Sequence, residues 1–243
     1  MVCIDLEDAV APDDKAAARR ETLTFLAQFA DRPGPVGLRV NAVGTPEGEA
    51  DLAALKGAEG IDFVMVPKPA GTADIDAVYT AFGRTGVVPV LESARAIQNV
   101  DAIADHPAVV AGIYGAIDLS ADIGCDLSWE AHLYARSRCA IAFGAARKIL
   151  FDVPYLDVTD PEGLARETKR ALALGIYARA AIHPAQIAPI HAAYAPSEEE
   201  VAQAQRVVDA FEAAQGGVAL LDGKLIELPV IKSAQRVLAN AKR

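Results

Sequence analysis

The sequence predicts an α/β fold: a TIM (β/α)8-type barrel that lacks its first strand in this chain and carries a C-terminal helical extension. Three observations lead there. Seven short apolar runs alternate with segments of helical spacing along the 243 residues. Most of these runs are apolar throughout, as in parallel strands buried on both faces beneath helices. Polar and charged residues gather where the runs end, which in a (β/α) barrel is the rim that carries chemistry.

Residues 2–6 read as the first buried strand, which ends in Glu7-Asp8, and residues 13–30 follow with helical spacing. Residues 36–40 form a strand ending in Arg39-Val40-Asn41, and 46–57 a short helix. Residues 61–66 form the third strand, ending in Pro67-Lys68, with a helix over 72–82. The fourth strand, 87–91, runs directly into Glu92. A helix over 95–104 leads to the fifth strand, 109–114, with Asp118 a few residues on. A longer helix covers 128–147 and a sixth strand 149–153. Asp160 is the expected N-cap of the helix 162–174, with Pro161 at its first position. Residues 178–182 form the seventh strand, ending in His183-Pro184. Ser197 and Glu200 form a capping box for a helix over 197–215, which Gly216-Gly217 breaks. A short run at 218–221, a turn at Asp222-Gly223 and a last helix over 229–241 complete the chain.

No linker or low-complexity segment divides the chain, so residues 1–243 read as one barrel domain, with 197–243 as its extension. A closed barrel needs eight strands, so the count of seven leaves three readings: the first strand lies upstream of residue 1, the barrel is open, or the fold is a different one. A doubly wound sheet is the structural alternative. It is not favoured, because no Gly-rich dinucleotide loop follows the first strand.

The formal net charge is −10, against nonspecific binding to nucleic acid or an anionic membrane. No apolar run reaches the ~18 residues of a membrane span, and the N-terminus has no signal-peptide pattern. Cys3, Cys125 and Cys139 are odd in number and far apart, as expected for reduced thiols in a cytoplasmic protein.

A strand, a crossover helix and a parallel strand bring Glu92 and Asp118 to the same end of a sheet. Two carboxylates completed by waters and substrate oxygens are how Mg²⁺ is usually held. The competing reading is that each caps a helix or pairs with an arginine such as Arg95. Arg39 offers a rigid fork of donors for a carboxylate or a developing enolate, or else a salt bridge to Glu7 or Asp8; the two are compatible. Successive strand residues point to opposite faces, so at most one of Glu7 and Asp8 faces the barrel axis. Lys68 suits either a Schiff base or an ion pair. His183 reads more readily as a hydrogen-bonded structural residue than as an acid or base. His106, His132 and His191 lack ligand spacing.

The chain resembles the citrate lyase beta subunit-like group of the HpcH/HpaI aldolase superfamily. The resemblance rests on eight motifs in register: Ile4-Asp5-Leu6-Glu7-Asp8-Ala9-Val10, Leu38-Arg39-Val40-Asn41, Val66-Pro67-Lys68, Leu91-Glu92-Ser93-Ala94-Arg95, Gly115-Ala116-Ile117-Asp118-Leu119, Ile182-His183-Pro184-Ala185-Gln186, Pro196-Ser197-Glu198-Glu199 and Asp222-Gly223-Lys224. It implies a TIM barrel that uses Mg²⁺ to cleave or form a carbon–carbon bond beside a thioester, with CoA as part of the substrate. It also implies a homotrimer or hexamer. By motif match Glu92 and Asp118 are metal ligands, and Glu92 also meets substrate. Arg39 is the substrate-contacting arginine, Glu7 and Asp8 are the acidic pair beside it, and Lys68 adds to substrate binding. The base is left open among Glu7, Asp8 and a neighbouring copy's Asp222 or Glu227. The sequence departs from the family pattern at Ala96, where glycine is usual, at Ile117, where an acid is common, and at Glu227, where aspartate is usual.

The implied activity is cleavage or formation of a short 3-hydroxyacyl-CoA thioester such as citramalyl-, malyl- or citryl-CoA, giving a 2-oxoacid and acetyl-CoA. The alternatives are a CoA-independent class II pyruvate-type aldolase and a non-catalytic barrel subunit.

Overall fold

The computed structural model describes residues 1–28, 34–83, 85–214 and 219–241. Seven strands, β1 (Val2–Asp5), β2 (Val36–Arg39), β3 (Phe63–Pro67), β4 (Gly86–Leu91), β5 (Ala111–Tyr114), β6 (Ile149–Asp152) and β7 (Ala178–Arg179), form one all-parallel sheet in the order of the chain. Each interior strand pairs with the strand before it and the strand after it. That order is the (β/α) barrel's. A doubly wound sheet would reverse direction at a switch point, and none occurs here. Among the described residues β1 and β7 each pair on one side only.

Helices separate the strands. α1 (Lys15–Gln28), α2 (Pro46–Ala54), α3 (Thr72–Ala81), α4 (Ala94–Gln98), α5 (Val100–Asp105), α6 (Ala116–Ile123), α7 (Trp129–Ala145) and α8 (Pro161–Ala173) precede α9 (Ile187–Tyr194), α10 (Glu198–Ala213) and α11 (Leu228–Ala241). The helix starts are chemically marked. Thr45, Ser93 and Ser128 each accept a backbone N–H from three residues on, and Asp160 accepts from Gly163 N at 2.8 Å.

Leu38, Val40, Val64, Val66, Val87 and Leu91 are fully buried, as expected of a sheet covered on both faces. Gly112 lets β5 lie close to α7, since a Cβ there would sit 2.3 Å from the Phe143 ring.

The chain divides into two compact units. The first comprises Met1–Pro154 and Ala173–Ala180, the second Tyr155–Leu172 and Ala181–Arg243. In the second, α10 and α11 enclose a small core of Ala204, Val207, Ala219, Ile226, Ile231 and Ala234 together with the antiparallel hairpin β8 (Ala219–Leu221)–β9 (Lys224–Ile226). The Ser197–Glu200 capping box is present. Asp222 and Gly223 both have positive φ, 51° and 74°, the pattern of a tight type I′ hairpin turn. The helix-breaking Gly216-Gly217 pair lies outside the described residues.

Three expectations need correction. The helix expected over 95–104 is two helices that meet at Asn99, whose side chain donates to Ala70 O at 2.7 Å. The strand expected over 178–182 ends at Arg179, and His183 begins a 3₁₀ turn over Pro184–Gln186. The helices α6 and α9 and the strand β9 are additional. α6 begins only one residue after the Gly115 that follows β5, so its apolar residues continue the strand's and the boundary is hidden.

Candidate active site

Every charged group of the candidate site lies in the first unit, and successive sheet elements supply them in turn. β1 ends at Asp5 and β2 at Arg39, and the two are register partners. Arg39 Nε donates to Asp5 Oδ1 at 2.8 Å and Nη2 to Asp5 Oδ2 at 2.5 Å, a bidentate pair. Burial raises the Asp5 carboxyl, but the bonds from Arg39 outweigh it and hold it below the usual carboxylate range. Asp5 is thus the main partner of Arg39, a role the sequence reading gave to Glu7 or Asp8. The available signal was the strand register: two residues that end adjacent parallel strands lie side by side.

Beyond Asp5 the chain turns. Glu7 is buried and Asp8 exposed, so one of the pair faces inward. Glu7 Oε2 lies 2.6 Å from Arg39 Nη1, a close ionic contact off hydrogen-bond alignment; Asp8 stands 3.8 Å from the same nitrogen. Burial, opposed by Arg39 and reinforced by Asp8, leaves the Glu7 carboxyl above its ordinary value.

The turn is pinned from below. Lys15 Nζ donates to the carbonyls of Leu6 (2.8 Å) and Glu7 (2.7 Å) and to Asn41 Oδ1 (2.7 Å). Asn41 in turn donates to Leu6 O and to the fully buried Asp51. Asn41 therefore supports the rim without lining it. Lys15 and Asp51 have no motif of their own and are visible only in three dimensions.

Lys68 follows β3 in a left-handed conformation, φ 48°. Its ammonium lies 2.8 Å from Asp118 Oδ1 and 3.5 Å from Glu7 Oε1. Burial alone would lower its pKa. The bond to Asp118 and the charges of Glu7, Asp118 and Glu92 reverse this, and the net shift is upward. A Schiff-base lysine needs the opposite shift, so the ion-pair reading holds.

Glu92 directly follows β4 and is 4% exposed. Its Oε1 is buried without a hydrogen bond among the described residues. Burial first, then the negative charges of Asp118 and Glu7, push its carboxyl up to about 8. Arg95, weighed as a partner for this acid, instead donates to Gln98 at 3.4 Å.

Asp118 sits in the first turn of α6 and not on a strand end. Two hydrogen bonds to His132 hold that helix in place. The Tyr114 hydroxyl lies 2.5 Å from His132 Nδ1, and Ser120 Oγ lies 2.7 Å from His132 Nε2. Nε2 also faces the Asp126 carbonyl at 3.1 Å, which only accepts. The ring is therefore protonated on Nε2, and Nδ1 accepts from Tyr114. His132, without a role at the sequence level, fastens the end of β5 to the helix that carries Asp118.

His183 lies in the second unit, where Nδ1 accepts from Ala185 N at 3.1 Å as a turn cap.

The structure thus brings Asp5, Glu7, Asp8, Arg39, Lys68, Glu92 and Asp118 together through ion pairs and shared electrostatics. Among the described residues no three His, Cys, Asp or Glu side chains converge on one metal position. Two carboxylates with an unpartnered buried oxygen fit Mg²⁺, which usually takes one or two protein carboxylates and fills its octahedron with water and substrate oxygens.

Gly115 makes room for Glu92. A Cβ there would lie 2.5 Å from Glu92 Cβ and 2.9 Å from Oε2. Gly115→Ala is expected to cost about 1–3 kcal/mol by overpacking and to weaken Mg²⁺ binding roughly 10–100-fold by displacing the carboxylate. Thermal melts and calorimetric Mg²⁺ titration check this; unchanged values in both would refute the packing argument.

The raised Glu92 carboxyl also sets a pH dependence. The unfolded chain releases this proton near the ordinary value of 4.5 and the folded chain near 8. The associated stability is fully present below pH 4.5 and drains away as pH rises through 8, at up to about 1.4 kcal/mol per unit. In EDTA, the wild-type melting temperature is expected to fall from pH 6 to 8.5 more steeply than that of Glu92→Gln. Parallel slopes would show that Glu92 does not carry the effect.

Residues 129–243 match the C–C bond lyases of the TIM-barrel fold. The chain belongs to the HpcH/HpaI aldolase/citrate lyase family, which it matches over residues 1–184. It is 34% identical over 251 residues to a (3S)-malyl-CoA thioesterase of Cereibacter sphaeroides, covering 99% of this chain and 86% of the relative. It is 30% identical over 277 residues to an L-malyl-CoA/beta-methylmalyl-CoA lyase of the same species, covering 100% of this chain and 87% of the relative. Among solved structures, the CitE protein of Mycobacterium tuberculosis in complex with magnesium, acetoacetate and coenzyme A superposes with a TM-score of 0.88 at 30% identity, covering 100% of this chain and 90% of that one. Among the described residues no helix is long and apolar enough to cross a membrane.

Proposed function

We propose that this protein is a Mg²⁺-dependent lyase that cleaves or forms a short 3-hydroxyacyl-CoA thioester, of the malyl, citramalyl or citryl type, giving a 2-oxoacid and acetyl-CoA. The observation that carries the reading is the buried Oε1 of Glu92, without a hydrogen bond among the described residues, beside Asp118 and just past β4 in the sheet whose strand β2 ends in Arg39. The malyl-CoA relatives and the CitE complex with magnesium and coenzyme A support it, and they favour a thioester over a CoA-free aldolase substrate.

Glu92 and Asp118 are the metal's protein ligands in this proposal. When bound there, Mg²⁺ supplies Lewis-acid polarisation of the substrate's hydroxyl and carboxylate oxygens. The chain's own residues do the rest. Asp5 grips Arg39 on two nitrogens and fixes its plane, and Arg39 stabilises the enolate oxygen of the departing acetyl thioester. Glu7, buried with its pKa raised, accepts the hydroxyl proton as the carbon–carbon bond breaks, and an acid then protonates the enolate carbon to give acetyl-CoA. Asp8 adds negative charge that keeps Arg39 oriented, and Lys68 supplies a second positive charge for the substrate's carboxylate. Asp222 or Glu227 of a neighbouring copy is the alternative base, within a homotrimer or hexamer. The three free cysteines suit a cytoplasmic setting.

The thioesterase relative favours a second reading, hydrolysis of the same thioester. Incubating malyl-, citramalyl- and citryl-CoA with the protein, in Mg²⁺ or in EDTA, and identifying products by mass spectrometry separates the two. Acetyl-CoA plus a 2-oxoacid supports the lyase. Free CoA plus the intact hydroxyacid supports hydrolysis. Equal turnover in EDTA sinks the metal-dependent reading.

A further inference from the structure

We propose that Lys68 is a built-in counter-ion that occupies the carboxylate site in the metal-free protein and is exchanged off Asp118 when a divalent cation binds. This rests on the metal reading above and concerns how the site is kept before loading. Three observations support it. The Lys68 ammonium lies 2.8 Å from Asp118 Oδ1, so one assigned ligand is already engaged by a cation of the chain. The same ammonium reaches Glu7 at 3.5 Å and so bridges two acids from different elements. Lys68 adopts a left-handed backbone, φ 48°, although it carries a Cβ. Strain of this kind persists where the surroundings impose it, and it concentrates at functional sites.

Without Lys68 the rim would set Glu7, Glu92 and Asp118 against one another, with Arg39 bound chiefly to Asp5. The ammonium lowers that repulsion while Glu92 Oε1 stays without a partner. The arrangement is a half-filled cation site: one acid is paired and the other held ready. A divalent cation that takes both Glu92 and Asp118 must break the Asp118–Lys68 bond. The side chain is long and 37% exposed, so it has room to leave. Once released, its charge is free for an anionic group of the substrate. Cation binding would then prepare the rim for the substrate, giving an order of addition.

The test measures binding in the absence of substrate. Mg²⁺ is titrated calorimetrically into wild type, Lys68→Met, Lys68→Gln, Lys68→Arg and Glu92→Gln, each first checked for folding by circular dichroism. Removing the competing ammonium is expected to tighten Mg²⁺ binding at least fivefold in Lys68→Met and Lys68→Gln, while Lys68→Arg stays within about twofold of wild type. In EDTA both neutral variants are expected to melt below wild type and to gain more on adding Mg²⁺. In wild type, acetylation of Lys68 by a water-soluble activated acetyl ester, followed by mass spectrometry, is expected to run several-fold faster with Mg²⁺. Unchanged or weaker Mg²⁺ binding in the neutral variants, or a labelling rate unaffected by Mg²⁺, overturns the exchange. Wild-type Mg²⁺ affinity in Glu92→Gln would instead overturn the metal assignment itself, so the two failures are distinct.

Discussion

Glu92→Gln is expected to reduce Mg²⁺-dependent turnover by at least about 10³-fold, equivalent to about 4 kcal/mol of transition-state stabilisation, while raising the melting temperature of the metal-free protein at pH 8. The two effects share one cause. Glu92 is buried, its Oε1 lacks a hydrogen bond, and Asp118 and Glu7 oppose its ionisation. Such an acid costs stability when metal-free and, in the proposed assignment, supplies a ligand when loaded, a trade between activity and stability common at functional sites. Asp118→Asn is expected to lose turnover to a similar extent but to lower the melting temperature, because it removes an acid already paired with Lys68 at 2.8 Å. Opposite signs of the stability change, with a shared loss of activity, distinguish a metal pair from two structural carboxylates. Wild-type turnover in both variants would sink the assignment.

Arg39→Lys is expected to lose roughly 10²–10³-fold in kcat despite keeping its charge. Arg39 works through shape. Two nitrogens are held by Asp5, and the third, Nη1, faces Glu7 and Asp8. A lysine ammonium is a point charge on a flexible stem and cannot match both Asp5 oxygens while also pointing into the rim. Loss of a fixed donor to a developing oxyanion costs about 2.7–4 kcal/mol in other enzymes. KM should move less than kcat, because the enolate exists only along the reaction. Steady-state kinetics with a malyl-type thioester, together with melting curves, checks this. A kcat within about threefold of wild type would remove Arg39 from the chemistry.

The strand rhythm is readable in the sequence because parallel strands covered on both faces are unbroken apolar runs: β2 to β5 coincide with such runs to within two residues. The site was legible where a charged residue directly follows such a run, as with Arg39, Lys68 and Glu92. It was less legible at Asp118, whose helix α6 begins without a turn signal. Asp5 was hidden for a different reason. It stands inside the first apolar run, and only the register of β1 against β2 shows that it lies beside Arg39. Lys15, Asp51 and His132 each act through at least one contact 10 or more residues away in the chain, for example Lys15 to Asn41 at a separation of 26 and His132 to Tyr114 at 18. No local pattern marks such residues.

The consecutive strand order has a consequence for synthesis. Each strand pairs with the one made just before it, so the rim's charges arrive in a fixed sequence from N- to C-terminus. The acids Asp5, Glu7 and Asp8 come first, Arg39 and Lys68 next, Glu92 and Asp118 last. A sheet that grows strand by strand behind the ribosome therefore joins acid to base at β1–β2 before it sets Glu92 beside Asp118. When those two acids finally meet, Arg39 and Lys68 are already in place, so the pairing that opposes ionisation of Glu92 is deferred until its counter-charges exist.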